Sequence, residues 1–270
     1  MPPAATLRIG TLNIASAGDS RGVPLDAAGL RSAVCALDVD VLALQEIDAG
    51  QPRSHGVDQA AEVADALGAD WRMAPTVVGT PDPFRSWRPA EPALRGPGEA
   101  VDGPHYGIAL VSRRPVRQWH LLALGSGRAR LPLRSRDPRT GRPRTWWFPD
   151  EPRAAIAAEV EGATVVSTHL SFAPHTSMRQ LLRLRRWASV LPGPVVVAGD
   201  LNLPGALPAH LLRGRDLLRA PTFPGSAPRV QLDHLVVLGD ACADEAATLR
   251  LPIGDHLALV ATVSVRALSR

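Results

Sequence analysis

Short runs of β-branched residues and leucine, each bounded by turn formers, recur along the whole 270-residue chain. They predict strands over Leu7–Ile14, Val39–Leu44, Gly107–Ser112, Ala154–Val160, Thr164–His169, Val195–Ala198, His234–Val237 and Leu257–Val265. Val41-Leu42-Ala43-Leu44 and Val195-Val196-Val197 lack the apolar/polar alternation of a half-exposed strand, so both faces of these strands are expected to be covered. Helical spacing appears over Leu25–Leu37, Val57–Leu67 and, most clearly, Ser177–Leu191. In the last, Met178, Leu181, Leu182, Leu184 and Ala188 form an apolar side, while Arg179, Arg183 and Arg186 recur on another. Gly79–Pro104 and Gly125–Pro152 are dense in Pro, Gly and Arg and read as loops. The second carries arginines from Arg128 to Arg144 and then Trp146-Trp147-Phe148, which makes it a candidate specificity element. Strands continue to both ends, so a single domain over residues 1–270 is expected.

Composition changes this picture in two places. The net charge of +4 and pI near 10.2 suit a partner rich in phosphate, yet every basic residue is Arg and none is Lys. An Arg-for-Lys coding bias explains that better than a nucleic-acid surface does, so the charge does not name a substrate. Cys35 and Cys242 sit among apolar neighbours and read as small buried thiols, which argues against a disulfide scaffold. No charged start leads into an apolar run, and no stretch approaches the roughly 20 apolar residues of a membrane span. A cytoplasmic monomer without stable membrane insertion is the expectation.

Acidic and amide residues fall where strands end. Asn13 closes the first predicted strand, Glu46 follows the second, His169 ends Thr164–His169, Asp200 and Asn202 follow Val195–Ala198, and Asp255-His256 precede the last. A carboxylate at the end of a core strand costs several kcal/mol if buried without a partner, so a cation is expected nearby. Taken singly, each has a structural reading as a turn or cap. Their joint occurrence asks for a common site.

These segments carry a resemblance. Thr11–Ile14, Leu42–Ile47, Tyr106–Pro115, Glu151–Ala155, Ser167–Leu170, Gly199–Asn202, Gln231–His234 and Gly254–His256 are similar, in order, to the motifs of the endonuclease/exonuclease/phosphatase superfamily. The resemblance implies an α/β (α+β) fold, a four-layer αββα sandwich of two packed mixed sheets flanked by helices. It also implies Mg²⁺, or Mn²⁺ in its place, which agrees with a donor set of carboxylates and amides. By resemblance, Glu46 is the principal metal ligand, assisted by Asn13 and Asp255. Asp200 occupies the water-activating position and Asn202 holds the nucleophile or a phosphoryl oxygen. His256, oriented and kept cationic by Asp233, contacts the phosphate, and His169 donates to another phosphoryl oxygen. Whether Asp200 or His256 is the base stays open. Arg153 is either an electrostatic helper or the salt-bridge partner of Glu151, and Tyr106 is placed to line the pocket.

The implied activity is hydrolysis of a phosphodiester or phosphomonoester. A nuclease acting on DNA or RNA, a lipid or inositol phosphoester hydrolase and a catalytically silent binding module are the alternatives. Ala15 stands where the abasic-site repair nucleases of the superfamily carry an additional acidic residue, which argues against that specific activity. The fold hosts many substrates, so resemblance does not choose among them.

Overall fold

The structure, a computed structural model, describes residues 5–19, 22–81, 87–128, 130–136 and 140–265. In chain order the elements are β1 (Ala5–Asn13), α1 (Ala27–Cys35), β2 (Val41–Ala49), α2 (Gln59–Leu67), β3 (Asp70–Gly79), β4 (Trp87–Pro89) and β5 (His105–Ser112). Then come β6 (Gln118–Gly125), β7 (Arg130–Arg136), β8 (Pro143–Pro149), β9 (Arg153–Val160), β10 (Ala163–His169), α3 (Pro174–Ala188) and β11 (Val195–Asp200). The chain continues through α4 (Leu207–Leu212), β12 (Arg215–Asp216), β13 (Asp233–Leu238), β14 (Ala241–Leu249) and β15 (Ala258–Val265).

Strands β14-β15-β1-β2-β5-β3-β4 form one mixed sheet, and β12-β13-β11-β10-β9-β6 form the second. Side-chain alternation builds three apolar layers from them. Val41, Ala43, Val196 and Ala198 point into the core between the sheets, with Ile9, Ile108 and Ile156. Leu42 and Leu44 face the opposite way, onto Leu30, Val34 and Val63 of α1 and α2. Val195 and Val197 likewise meet Leu181 and Leu184 of α3 and Leu212 of α4. Both central strands are therefore covered on both faces, which is why they read as unbroken apolar runs. The result is the expected four-layer sandwich.

Topology decides where chemistry can sit. β1 and β2 are parallel and joined through α1; β10 and β11 are parallel and joined through α3. Asn13 is in register with Gln45, and His169 with Asp200, so the two parallel pairs end at the same rim. The neighbouring antiparallel strands start there: Asp233 pairs with Asp200, and Tyr106 with Asp48. Segments far apart in sequence thus converge because parallel pairing aligns their C-terminal ends.

Gly199 sets how closely β10 and β11 approach at that rim. A Cβ on it would lie 1.9 Å from the Thr168 carbonyl oxygen, a contact only a strand displacement relieves. Gly199→Ala is expected to lower stability by at least about 2 kcal/mol in urea denaturation. An unchanged midpoint would show that the two strand ends part freely.

Three expectations need correcting. Gly125–Pro152 is not a structureless loop: β7 and β8 pair as a hairpin from Arg130↔Pro149 to Arg136↔Pro143, with Arg139 outside the described residues. Its prolines and arginines hid the strands because the hairpin makes its own two-stranded sheet and leaves much of itself exposed. Leu182 does not join the apolar side of α3 but lies exposed among the arginines. Cys35 and Cys242 are both exposed, on the last residue of α1 and on the outermost strand β14. Among the described residues no helix is long and apolar enough to cross a membrane.

Candidate active site

Asn13 at the end of β1 joins the sheets. Its Nδ2 donates to Glu46 Oε1 on its own sheet (3.0 Å) and to Asp200 Oδ2 on the other (3.2 Å). Its Oδ1 accepts from the Ala15 N–H (3.1 Å), so the amide is fixed in orientation. Glu46 sits at a β-bulge where the register of β2 against β5 slips between Gln45 and Ile47, and its φ is +56°. A non-glycine residue in the left-handed region is strained, and bulges re-aim side chains. Here the bulge turns the carboxylate out of the sheet toward the cleft. Asn202 (φ +51°) and Ala15 (φ +45°) carry similar strain beside it, a concentration typical of functional rims.

Asp200 is buried between two histidines. Its Oδ2 lies 3.7 Å from His169 Nε2 and 3.9 Å from His256 Nε2, and its Oδ1 accepts from the Asn202 N–H (2.9 Å). Burial, then the nearby charge of Asp233, raises its pKa to about 7, with His256 opposing.

The imidazoles differ in protonation. Arg153 Nη1 stands 3.0 Å from His169 Nδ1, and a guanidinium only donates, so Nδ1 accepts and the proton sits on Nε2. Burial and then the Arg153 charge hold His169 well below the ordinary histidine range, so it stays neutral. Asn202 Nδ2 is 3.2 Å from that Nε2 but already donates to the Leu170 carbonyl (2.9 Å). Asn202 therefore offers Nε2–H no acceptor, and this N–H is left to Asp200 and the cleft.

His256 Nδ1 donates to Asp233 Oδ2 at 2.7 Å. Burial works against its charge, but the hydrogen bond and charge of Asp233, with Asp200 and Asp255 adding, raise its pKa to about 10. Asp233 is held by Thr222, whose Oγ1 accepts the N–H groups of Leu232 and Asp233 (3.1 and 3.2 Å). Phe223 packs against the imidazole with ring centroids 4.8 Å apart. The sign of the linkage is definite: the folded protein binds the extra proton between pH 6.5 and about 10. This contribution to stability is full below pH 6.5 and is lost as pH rises through about 10. NMR titration of the metal-free protein is expected to find His256 still protonated at pH 8, and Asp233→Asn to return it toward the ordinary range. A wild-type His256 titrating near 6.5 would contradict the pairing.

The structure brings all ten expected site residues to this rim. Glu46, Tyr106, Arg153, His169, Asp200, Asn202, Asp255 and His256 line one cleft of about 440 Å³, with Asn13 and Asp233 bonded to its walls. Arg153 makes the salt bridge that was one of its two expected readings, with Nη2 3.5 Å from Glu151 Oε2, while its Nη1 faces His169. His234 points away, to the Leu203 carbonyl (3.0 Å) and Asp216 (3.3 Å).

Sequence reasoning missed several lining residues. Arg53, paired in bidentate fashion with Asp48 (2.9 and 2.7 Å), stands over the Tyr106 ring at 5.5 Å. Leu133 of the β7–β8 hairpin also lines the cleft, as do Phe172 and Phe223, while Phe148 beside it belongs to the aromatic run already expected to bear on specificity. Arg53 and the two phenylalanines outside the hairpin lie in no motif, and no sequence signal pointed to them.

Among the described residues, Asp200, Asp233 and His256 form a compact acidic group with potential ligand atoms within 4.8 Å of one another. His256 is cationic and tied to Asp233, and metal ligands must be deprotonated, so the Glu46 side of the cleft is better suited to a cation. There Glu46 Oε2 has no hydrogen-bond partner among the described residues, and Asp255 is largely exposed. The donors are hard oxygens, which suit Mg²⁺ or Mn²⁺.

Two packed mixed sheets with an acidic, histidine-containing site at one rim define an architecture shared by phosphoester hydrolases. The chain belongs to the endonuclease/exonuclease/phosphatase family, whose model matches residues 10–256. Members of this family are mostly hydrolases acting on phosphoesters, generally with a divalent metal. A family structure from Beutenbergia cavernae is similar with TM-score 0.65 and 18% identity, over 96% of this chain and 72% of that one. A mannosyl-6-phosphatase of Bacteroides thetaiotaomicron gives TM-score 0.60 and 14% identity, over 95% and 99%. D. rerio TDP2 complexed with single strand DNA product gives TM-score 0.58 and 14% identity, over 97% and 100%. At these identities the likeness establishes the fold alone. No curated protein matches the sequence.

Proposed function

We propose that the protein hydrolyses a phosphoester bond by attack of water on phosphorus, with Mg²⁺ or Mn²⁺ held by Glu46 and assisted by Asn13 and Asp255. The observation that carries this reading is the pair of buried imidazoles on either side of Asp200, His169 with its Nδ1 held by Arg153 and His256 with its Nδ1 held by Asp233. A bound divalent ion would neutralise phosphoryl charge and stabilise the departing oxygen. The chain's own groups do the rest. His256, kept charged by Asp233, holds one phosphoryl oxygen. His169, kept neutral with its proton on Nε2, donates to another. Asp200, with a pKa near 7, is matched to taking a proton from water, whereas His256 already carries its own. That difference favours Asp200 as the base. Arg153 positions His169, and the Asn202 N–H holds the carboxylate of Asp200 at the end of β11.

The test is hydrolysis by the purified protein, with Mg²⁺ or Mn²⁺, across nucleic acid, nucleotide, phospholipid and sugar-phosphate esters. Turnover in at least one class that stops with chelator supports the reading; none in any class refutes it.

A nuclease reading has an observation of its own. Arg128 and Arg130 line one groove, Arg179, Arg183 and Arg186 a second, and the two share Ser126 beside the hairpin. Cleavage of oligonucleotides that falls steeply with salt and weakens in Arg183→Ser would support it.

A further inference from the structure

The catalytic cleft has a second arm. Beside the 440 Å³ described above lies a cavity of about 700 Å³, lined by the loop after β1 and by the segments at 224–226 and 250–254. Among the described residues the two share Ala15, Asp255 and His256. Among the described residues the second arm is walled mainly by Leu25, Pro224, Leu251 and Pro252. Arg250 supplies a positive charge at the rim, while Asp19 is engaged with the Val23 N–H (2.9 Å).

None of these wall residues belongs to the machinery that handles the phosphoryl group. Ligand sites run from roughly 300 to 1,000 Å³, so the first arm alone already accommodates a phosphate with one organic substituent. Its own apolar wall, Leu133, Phe148 and Phe172, provides for that substituent. A phosphoryl group held by His256 lies at the seam between the arms. A substrate with a single ester group leaves one arm filled with water, whereas a substrate esterified twice fills both and buries the apolar walls.

We infer that the substrate is a phosphodiester, with one organic group under the β7–β8 hairpin and the other, largely uncharged, against Leu25 and Leu251. This rests on the hydrolase reading above and narrows it. Hydrolysis joins the water oxygen to phosphorus and breaks one ester P–O bond. The proton released by water ends on the departing oxygen, giving a phosphomonoester and an alcohol. The diester draws binding energy from both arms, whereas its monoester product keeps one organic group and draws on only one of them, which also favours product release.

Matched pairs test this: bis(p-nitrophenyl) phosphate against p-nitrophenyl phosphate, a dinucleotide against its mononucleotide, and glycerophosphocholine against glycerol phosphate. In any pair turned over with Mg²⁺ or Mn²⁺, kcat/KM for the diester is expected to exceed that for the monoester at least tenfold. Leu251→Trp, which fills the second arm, is expected to lower that ratio about tenfold through the KM of the diester, and Leu25→Trp repeats the test from the opposite wall. A monoester preferred in every active pair, or a ratio unmoved in both folded variants, overturns the inference and leaves the hydrolase reading standing. No metal-dependent turnover of either member of any pair overturns both.

Discussion

Asp200→Asn will lower kcat by about 10²–10⁴-fold while leaving the fold intact. The substitution keeps shape and an acceptor for the Asn202 N–H, now at 2.9 Å, but removes the carboxylate that faces both histidines. Because Asp200 carries a pKa near 7 through burial and the charge of Asp233, it is ionised over part of the neutral range and can still take up a proton. A general base of that strength is matched to work at neutral pH, and an amide cannot replace it. Two secondary effects accompany the loss. The pKa of His256 falls, since Asp200 helps raise it, and Asn13 loses a charged acceptor. A variant that keeps wild-type kcat would move the base to another group. His256 already holds its proton on account of Asp233, so it is the weaker candidate.

Glu46→Gln is expected to cost on the order of a thousandfold in metal-supported hydrolysis. The isosteric amide can still accept from Asn13 Nδ2, at 3.0 Å in the wild type, so the link between the two strand ends survives. What disappears is the negative charge that the bulge in β2 aims into the cleft at the cost of a left-handed backbone. Calorimetric titration with Mn²⁺ should show weakened binding, and excess metal should recover part of the activity. Full activity with unchanged metal affinity would move the cation to another set of ligands.

Much of this was legible in the sequence because the site lies where strands end. Val41–Leu44 and Val195–Val197 announce themselves as doubly covered strands, and the polar residues that follow each lie near the rim these strands reach, although Glu46 is aimed by a bulge inside β2 that the sequence does not announce. Parallel pairing then brings Asn13, Glu46, His169 and Asp200 to one rim. What was not legible depends on contacts between distant segments. β3, β6 and β14 were missed because their residues are partly exposed or interrupted by polar groups: β14 reads Ala-Cys-Ala-Asp-Glu-Ala-Ala-Thr-Leu at the sheet edge. The β7–β8 hairpin was hidden by Pro132, Pro143 and its arginines, yet it delivers Leu133 and Phe148 to the cleft. The protonation of His169 depends on Arg153, sixteen positions away in sequence, holding Nδ1 as an acceptor. Motif spacing named both residues but not their relation.

Attack of water on phosphorus in a metal-supported step at this cleft can be read from hydrolysis in ¹⁸O-enriched water. Once a turned-over ester has been found, the label is expected in the phosphoryl product. Its incorporation should stop with chelator and return with Mg²⁺ or Mn²⁺, and Asp200→Asn should slow it in step with product formation. Label in the alcohol instead, or equal product formation in chelator, would contradict it.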